Sequence, residues 1–374
     1  MKQERTSITG VAEPMPERAW VPEAFDHVEL YVENIRQAAH FYRTAFGFAP
    51  AGWAGLETGL RDHASWLMRQ QQIQLRLTSA LLPDHRAASY VRRHGDGVGN
   101  VAFLVRNAEA TFQHAVTHGA TPLQEPKWIE SARGRERTAV IAAFGDTTHS
   151  FIEYDGEVGP LAPGYQAVSN PPPTTTTGLT HLDHIAVGVP AGELDATVSF
   201  YEQALGFRSC FSDHVTTEYS AMKSRVVENE SSTIKITMLE PAVGRRKSQI
   251  DEYLAYHGGA GTQHLAFATD DIFATVAALR ANGIDFLRTP DPYYDALQGR
   301  VGPLAELSAL HELGILVDRD SSGLLFQLFT KPVQSRPTLF IEVIHRRGSK
   351  GFGAGNVRAL FEAIEHDQAG RGNL

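Results

Sequence analysis

The sequence has little cysteine, no excess of positive charge and no long apolar run, and each shortage excludes a class of protein. Cys210 is the only cysteine among 374 residues, which excludes an internal disulfide framework and a metal cluster of cysteines. The formal net charge of -9 offers no electrostatic footprint for nucleic acid. No apolar run approaches the length that crosses a bilayer. We therefore predict a cytoplasmic protein that binds neither nucleic acid nor membranes.

The remaining composition is typical of a soluble globular protein, with 42% hydrophobic and 21% charged residues. The length suits two domains of ordinary size. Residues 1–24 are polar, contain prolines and lack a signal-like core, so we expect a flexible leader there. The 16 histidines favour a test for metal chemistry based on imidazole.

Comparison of the chain with itself shows a module that is used repeatedly. Residues 25–48 match residues 182–207, and both have the pattern of a strand, a helix and a glycine cap before the next strand. Residues 95–126 match residues 258–290 in the same way. We predict an α+β fold with two tandem domains, each built from two βαβββ modules that form an open barrel around a ligand cavity.

The boundary between the halves lies in residues 156–180, where three consecutive prolines precede four threonines. This composition predicts an extended linker that packs neither as helix nor as sheet. We therefore assign a first domain to residues 25–155 and a second domain to residues 181–374.

Three residues of the second half fall at equivalent positions of its modules. His184 and His264 lie in the first strand of each module, and Glu342 lies in the closing strand. Two imidazoles and one carboxylate form the facial triad of non-haem Fe(II) oxygenases, with coordination sites left open. Each residue alone is more often structural, as a satisfied strand histidine or as a glutamate in an ion pair or facing solvent. Together they predict a metal site.

The first half serves as an internal control for this prediction. His27 matches His184, but Asn100 occupies the position of His264. Because an amide binds Fe(II) poorly, we predict that the first half holds no metal. The histidines without a comparable paired setting are interpreted as structural: His63, His85, His94, His149, His214, His257 and His311.

Residues 261–271, 314–320, 325–332 and 336–342 resemble the 4-hydroxyphenylpyruvate dioxygenases and their relatives, the 4-hydroxymandelate synthases. The resemblance extends from about Phe25 to Leu374. It implies the vicinal-oxygen-chelate fold, Fe(II) bound by the three candidate ligands, and 4-hydroxyphenylpyruvate and O₂ as substrates. The keto acid would supply its own two electrons, so no external 2-oxoglutarate is needed. By analogy, the metal-free half would serve packing or a homo-oligomer interface.

The same resemblance implies the residues of the substrate pocket. Its polar contacts would come from Ser220, Gln249, Gln263 and Gln327, and its aromatic walls from Phe329, Phe340 and Phe352. A few neutral polar groups can orient a phenol and a carboxylate while apolar rings exclude water. A helix predicted from about Val357 to His366 would close over this pocket as a lid.

Three departures favour 4-hydroxymandelate synthase over the homogentisate-forming dioxygenase. The dioxygenase pattern has Pro-x-Asn where this chain has Thr237 and Leu239, and a phenylalanine where it has Val357. Residues 187–194 also follow the synthase pattern. Loss of one buried polar anchor costs about 1–3 kcal/mol, which is enough to reorient a ring. The alternatives are the dioxygenase of tyrosine catabolism and a non-catalytic binding protein, since antibiotic-sequestering proteins share the module.

Overall fold

The computed structural model describes residue 18 and residues 20–131, 134–156, 161 and 164–373. The strands of the first half are β1 (Ala24–Tyr31), β2 (Ala49–Ala54), β3 (His63–Gln70), β4 (Ile73–Ala80), β5 (Gly97–Leu104), β6 (Pro122–Ser131), β7 (Gly134–Ala142), β8 (Thr148–Asp155) and β9 (Gln166–Ala167). Its helices are α1 (Ile35–Phe46), α2 (Arg86–His94) and α3 (Ala108–Thr117).

The second half repeats this order. Its strands are β10 (Leu179–Gly188), β11 (Arg208–Thr216), β12 (Ala221–Glu228), β13 (Lys235–Ala242), β14 (Gly261–Thr269), β15 (Leu316–Arg319), β16 (Leu324–Phe329) and β17 (Phe340–Arg347). Its helices are α4 (Leu194–Leu205), α5 (Gln249–His257), α6 (Ile272–Ala281), α7 (Asp291–Asp295), α8 (Leu297–Val301), α9 (Leu307–Leu313) and α10 (Ala354–Gly370). Three short helices, α7 to α9, enlarge its second module. None of the described helices combines the length and hydropathy needed to cross a bilayer.

The two sheets have the same strand order. The first runs β2-β3-β4-β1-β5-β8-β7-β6, with β9 added beside β2, and the second runs β11-β12-β13-β10-β14-β17-β16-β15. The central pairs β1–β5 and β10–β14 are antiparallel, while β5–β8 and β14–β17 are parallel. Each half is therefore two βαβββ modules joined through their first strands, which curls the sheet around a concave face.

Helices cover the other face of each sheet, and their ends carry clear capping signals. The Asn34 side chain accepts a hydrogen bond from a backbone amide of the first turn of α1. Gly47 after α1 and Gly206 after α4 both adopt left-handed conformations, with φ of 77° and 68°. The buried rings of Phe48 and Phe267, one from each half, pack 5.9 Å apart. The two halves thus share one continuous core.

Two stretches predicted to be irregular are partly ordered. Residues 166–167 form β9 and pair with β2, so the prediction that the linker packs in no sheet is wrong there. The hydroxyl of Tyr165 lies 2.6 Å from that of Ser65 on the concave face. Trp20 of the predicted flexible leader stacks on His114, with ring centroids 3.5 Å apart. Residues 1–17 and 19 of that leader lie outside the described residues.

Candidate metal centre

Three adjacent strands carry the three candidate ligands onto the concave face of the second sheet. His184 lies on β10, His264 on β14 and Glu342 on β17, and the pairings Ala186–His264 and Ala266–Glu342 bring them level. One carboxylate oxygen of Glu342, Oε2, lies 3.2 Å from Nε2 of His184 and 3.3 Å from Nε2 of His264. All three side chains are buried, and their ligand atoms lie within 4.8 Å of one another.

The electrostatics of the three side chains are strongly coupled. Burial raises the pKa of Glu342, but the two imidazoles lower it to about 2. Burial lowers the pKa of His184, but the carboxylates of Glu342 and Asp183 raise it to about 9. Burial also lowers the pKa of His264, and this effect outweighs the attraction of Glu342. A divalent cation would take the place of the protons between these donors, since metal binding displaces protons from its ligands.

The chemistry of the donor set fits a first-row transition metal. Two imidazole nitrogens and one carboxylate oxygen bind Fe, Co or Zn, and they leave positions open for other ligands. Both imidazoles present Nε2 to the centre. Nδ1 of His184 lies 2.8 Å from Oδ1 of Asp183, and Nδ1 of His264 lies 3.2 Å from Oε1 of Gln263. Such outer hydrogen bonds fix the tautomer and the ring orientation of a ligating histidine.

Asp183 connects one candidate ligand to the turn before α10. Arg346 donates two hydrogen bonds to its carboxylate, at 2.7 and 2.9 Å. The same guanidinium donates to the backbone carbonyl of Gly351 at 2.6 Å and lies 5.6 Å from the ring centroid of Phe352. Burial raises the pKa of Asp183, but Arg346 and His184 hold it well below its usual range.

Glu342 is connected to α10 by a second chain of hydrogen bonds. Gln327 donates to its Oε1 at 2.8 Å, and Asn356 donates to Gln327 at 2.9 Å. Tyr293 of α7 in turn donates to the Asn356 side chain at 2.8 Å. Two of the three candidate ligands are therefore connected by hydrogen bonds to the turn before α10 or to the first turn of α10.

A cavity opens beside the three ligands, and it contains most of the residues predicted from the sequence. The predicted residues that line it are Thr237, Leu239, Gln249, Gln263, Gln327, Phe329, Phe352 and Val357. Phe340 stacks on His264 with ring centroids 4.8 Å apart. Gln263 donates to Gln249 at 2.9 Å, so the two amides form one polar patch.

Ser220 is placed differently from the expectation of a substrate contact. Its hydroxyl donates to the carboxylate of Glu365 on α10, and the Thr217 hydroxyl donates to the same carboxylate at 2.9 Å. Ser220 thus fastens the predicted lid helix. That helix is longer than predicted because it extends from Ala354 to Gly370.

Other residues at the site were missed by sequence reasoning. The further lining residues are Phe211, Met222, Ser224, Val226 and Leu360. Four of them lie on β11 and β12 and Leu360 lies on α10, and nothing in their local sequence separates a pocket wall from a core position. Asp183 offered a signal, because an aspartate precedes the matching histidine in both halves, at Asp26-His27 and Asp183-His184.

A second group of possible ligand atoms lies on the surface of the first half. Asp62, His63 and His85 bring ligand atoms within 4.8 Å of one another, although both histidines were interpreted as structural from the sequence. Nδ1 of His85 already accepts a hydrogen bond from the Ala87 amide at the start of α2. The cluster is exposed or half-buried, unlike the enclosed site of the second half.

Comparisons with known proteins agree with this architecture. Residues 26–138 and 181–328 each match the Glyoxalase/Bleomycin resistance protein/Dioxygenase superfamily, which confirms the predicted fold class. The chain is 44% identical to a 4-hydroxyphenylpyruvate dioxygenase of Danio rerio, over 94% of this chain and 92% of that protein. It is 42% identical to one of Yarrowia lipolytica, over 94% and 93%. A mutant 4-hydroxymandelate synthase from Streptomyces coelicolor superposes with a TM-score of 0.84 at 36% identity, over 93% of this chain and 99% of that one.

Proposed function

This chain belongs to the family of the 4-hydroxyphenylpyruvate dioxygenases and 4-hydroxymandelate synthases, and from that premise we propose that it oxidatively decarboxylates 4-hydroxyphenylpyruvate with O₂. We assign Fe(II) as its metal, held by His184, His264 and Glu342. The observation that carries the proposal is the convergence of these buried side chains within 3.2 and 3.3 Å beside a lined cavity. When bound, the metal would supply the redox chemistry of O₂ activation and a chelation point for the keto acid.

The residues of the chain would bind and enclose the substrate. The Gln249–Gln263 patch offers amide donors and acceptors, and the free hydroxyl of Thr237 is buried without a partner among the described residues. Phe329 and Phe352 provide apolar walls that exclude water. Because α10 covers the cavity and is fastened at Glu365, substrate entry requires that helix to move.

The relatives favour homogentisate as the product. Seven relatives named 4-hydroxyphenylpyruvate dioxygenase are between 38% and 44% identical to this chain, whereas the synthase structure is 36% identical. These relatives support the dioxygenase, which was the alternative from the sequence, better than the synthase that the sequence favoured. We therefore propose homogentisate formation, by oxidation of the ring with migration of the side chain, as the first candidate reaction.

A specific feature of the pocket favours 4-hydroxymandelate as a second candidate. Leu239 and Val357 belong to one apolar cluster together with Phe361 of α10, and both line the cavity. This wall offers no amide to anchor the phenol, and it leaves room for the ring to tilt. A tilted ring would present the benzylic carbon to the oxidant, and a tilt that costs about 1.4 kcal/mol changes product partitioning tenfold.

One experiment separates these outcomes. Anaerobic addition of 4-hydroxyphenylpyruvate to Fe(II)-loaded protein should produce a visible charge-transfer band, and admission of air should then consume O₂ and release CO₂. Homogentisate and 4-hydroxymandelate are isomers, so the product must be identified by chromatography against standards or by the aromatic proton pattern, with three ring protons or four.

Glu342→Gln provides the matched control, which should show neither the band nor turnover. Homogentisate supports the first candidate, and 4-hydroxymandelate supports the second. If loaded wild-type protein shows no band and consumes no O₂, both proposals are wrong and a non-catalytic binding protein is the better interpretation.

A further inference from the structure

The first half contains a counterpart of the metal centre at the same place in its sheet. The pairings His27–Ala102 and Ala102–Ser150 repeat the pairings His184–Ala266 and Ala266–Glu342. By this register, the three ligand positions of the second half are occupied in the first half by His27, Asn100 and Ser150. The concave face is therefore preserved, while its chemistry has changed.

The changed residues satisfy one another only in part. Oδ1 of Asn100 accepts hydrogen bonds from the hydroxyls of Thr148 and Ser150, both at 3.0 Å. Nδ1 of His27 lies 2.5 Å from Oδ1 of Asp26. Nε2 of His27, the atom that corresponds to a metal-binding nitrogen, is buried and has no partner among the described residues. One imidazole nitrogen thus faces the concave space without a hydrogen bond.

Charged side chains of both signs have been added to this face. Glu29 takes the place of Ala186 and accepts a hydrogen bond from Thr78 at 2.6 Å. Arg69 lies on the same side of β3 as Ser65 and donates to Gln74 at 2.5 Å.

Arg76 pairs with Glu29 as Thr237 pairs with Ala186, so Arg76 takes the place of a pocket residue. Glu136 on β7 faces the same interior and is buried. Nε of Arg76 and Oε2 of Glu136 both lack a hydrogen-bond partner among the described residues.

The charges of Arg76 and Glu136 influence each other, although the two side chains form no ion pair. None of the ion pairs within 4.0 Å in the described part of the chain joins Arg76 to Glu136. Burial lowers the pKa of Arg76, but Tyr165, Glu136 and Asp26 raise it above its usual range. The guanidinium and the carboxylate are therefore near enough to interact and too far apart to satisfy each other.

A segment of the linker covers this face, as α10 covers the metal centre. The hydroxyl of Tyr165 lies 2.6 Å from that of Ser65, and the Arg76 guanidinium lies 5.7 Å from the Tyr165 ring centroid. Arg76 and Thr138, on this face, are half-buried. The first half thus has a covered concave face that is lined by unsatisfied polar atoms of both charges.

We propose that this face is a second, metal-free binding site, which takes the zwitterion of a free α-amino acid between Arg76 and Glu136. An anion alone would face the Glu136 carboxylate, and a cation alone would face the Arg76 guanidinium. An α-amino acid presents a carboxylate for bidentate hydrogen bonding to the arginine and an ammonium group for the glutamate. His27 and Asn100 would then meet the remaining polar atoms of the ligand. The site is independent of the reaction proposed for the second half.

The test is calorimetric titration of the intact protein with a panel of the standard L-amino acids. At least one should bind saturably, with one site per chain. Two probes that each lack one charge, N-acetylglycine and glycinamide, should fail to bind, because each leaves either Glu136 or Arg76 without its partner. Binding of N-acetylglycine as tight as that of the amino acid would overturn the proposal, as would the absence of saturable heat for the whole panel at millimolar concentration.

Variants locate the site. Arg76→Gln and Glu136→Gln should each weaken binding of the amino acid at least tenfold, while Arg137→Gln, which removes a charge from the opposite side of β7, should leave it unchanged. Glu342→Gln should also leave it unchanged, which separates this site from the metal centre. Since either charge removal can alter folding, a crystal structure of soaked wild-type protein provides a second measurement. Ordered water alone between Arg76 and Glu136 in that crystal would contradict the proposal.

Discussion

Asp183→Asn tests whether the buried aspartate positions the metal-binding imidazole of His184. The carboxylate accepts from Nδ1 of His184 at 2.8 Å and from Arg346 at 2.7 and 2.9 Å, and its residue is only 4% exposed. The substitution keeps the shape of the side chain and removes the charge. It weakens the hydrogen bond that orients the His184 imidazole, and it leaves the Arg346 guanidinium without its ion pair.

The expected loss of metal affinity follows from the outer hydrogen bond. Removal of such a partner typically weakens metal binding by about 10–100-fold, which corresponds to about 1.4–2.8 kcal/mol. Breaking a buried ion pair by removing one charge costs about 3–5 kcal/mol of folding stability. Because the Arg346 side chain is 18% exposed, we expect the lower end of that range.

The first half supplies a matched control. Asp26 lies 2.5 Å from His27 in the same register but beside no metal ligand set. Metal affinity is measured by competition with a chelator, using Co(II) as a redox-stable probe, and stability is measured by denaturant titration. Asp183→Asn should lose both affinity and stability, and Asp26→Asn should lose stability alone. An unchanged metal affinity in Asp183→Asn, or an equal loss in both variants, would refute the positioning role.

Three further predictions concern the metal, the lid helix and pH. Metal at 100 times its dissociation constant should raise the unfolding free energy of the wild type by about 2.7 kcal/mol and that of Glu342→Ala by much less, as denaturant titration with and without metal will show. Glu365→Gln weakens the hydrogen bond that Ser220 donates by about 1–2 kcal/mol, so amide hydrogen exchange in α10 should accelerate. The exposed Glu362→Gln on the same helix should change the exchange rate little. Equal acceleration in both variants would contradict the role of Glu365 in holding α10. Burial lowers the pKa of His149 from 6.5 to about 4, so its neutral form stabilises the fold fully above pH 6.5 and about 3 kcal/mol is lost as the pH falls through 6.5 to about 4. His149→Gln should flatten the stability profile in that window, and an identical profile would show that another group titrates.

The sequence predicted the features of the fold that repeat. The spacing of His27, His184 and their matching segments was enough to predict two halves of two βαβββ modules, because each module must bury the same helix face against the same strands. The helices α7 to α9 have no counterpart in the first half, so self-comparison could not reveal them. β9 was missed because two residues that add to a sheet edge carry no periodic pattern.

At the candidate site, too, some residues could be predicted from the sequence and others could not. His184, His264 and Glu342 could be predicted because a metal requires particular donor types at equivalent module positions. The hydrogen bond between Ser220 and Glu365 could not be predicted, since it depends on how α10 crosses the cavity 145 residues later. The same holds for Tyr165, whose cover over the first half depends on the path of the linker.

Anomalous scattering at the iron edge, from crystals of Fe(II)-loaded protein grown without oxygen, would locate the metal relative to the three candidate ligands. We expect one dominant peak per chain, within bonding distance of His184 Nε2, His264 Nε2 and a carboxylate oxygen of Glu342. No peak at that position, or a dominant peak at the exposed Asp62–His63–His85 cluster instead, would contradict this expectation.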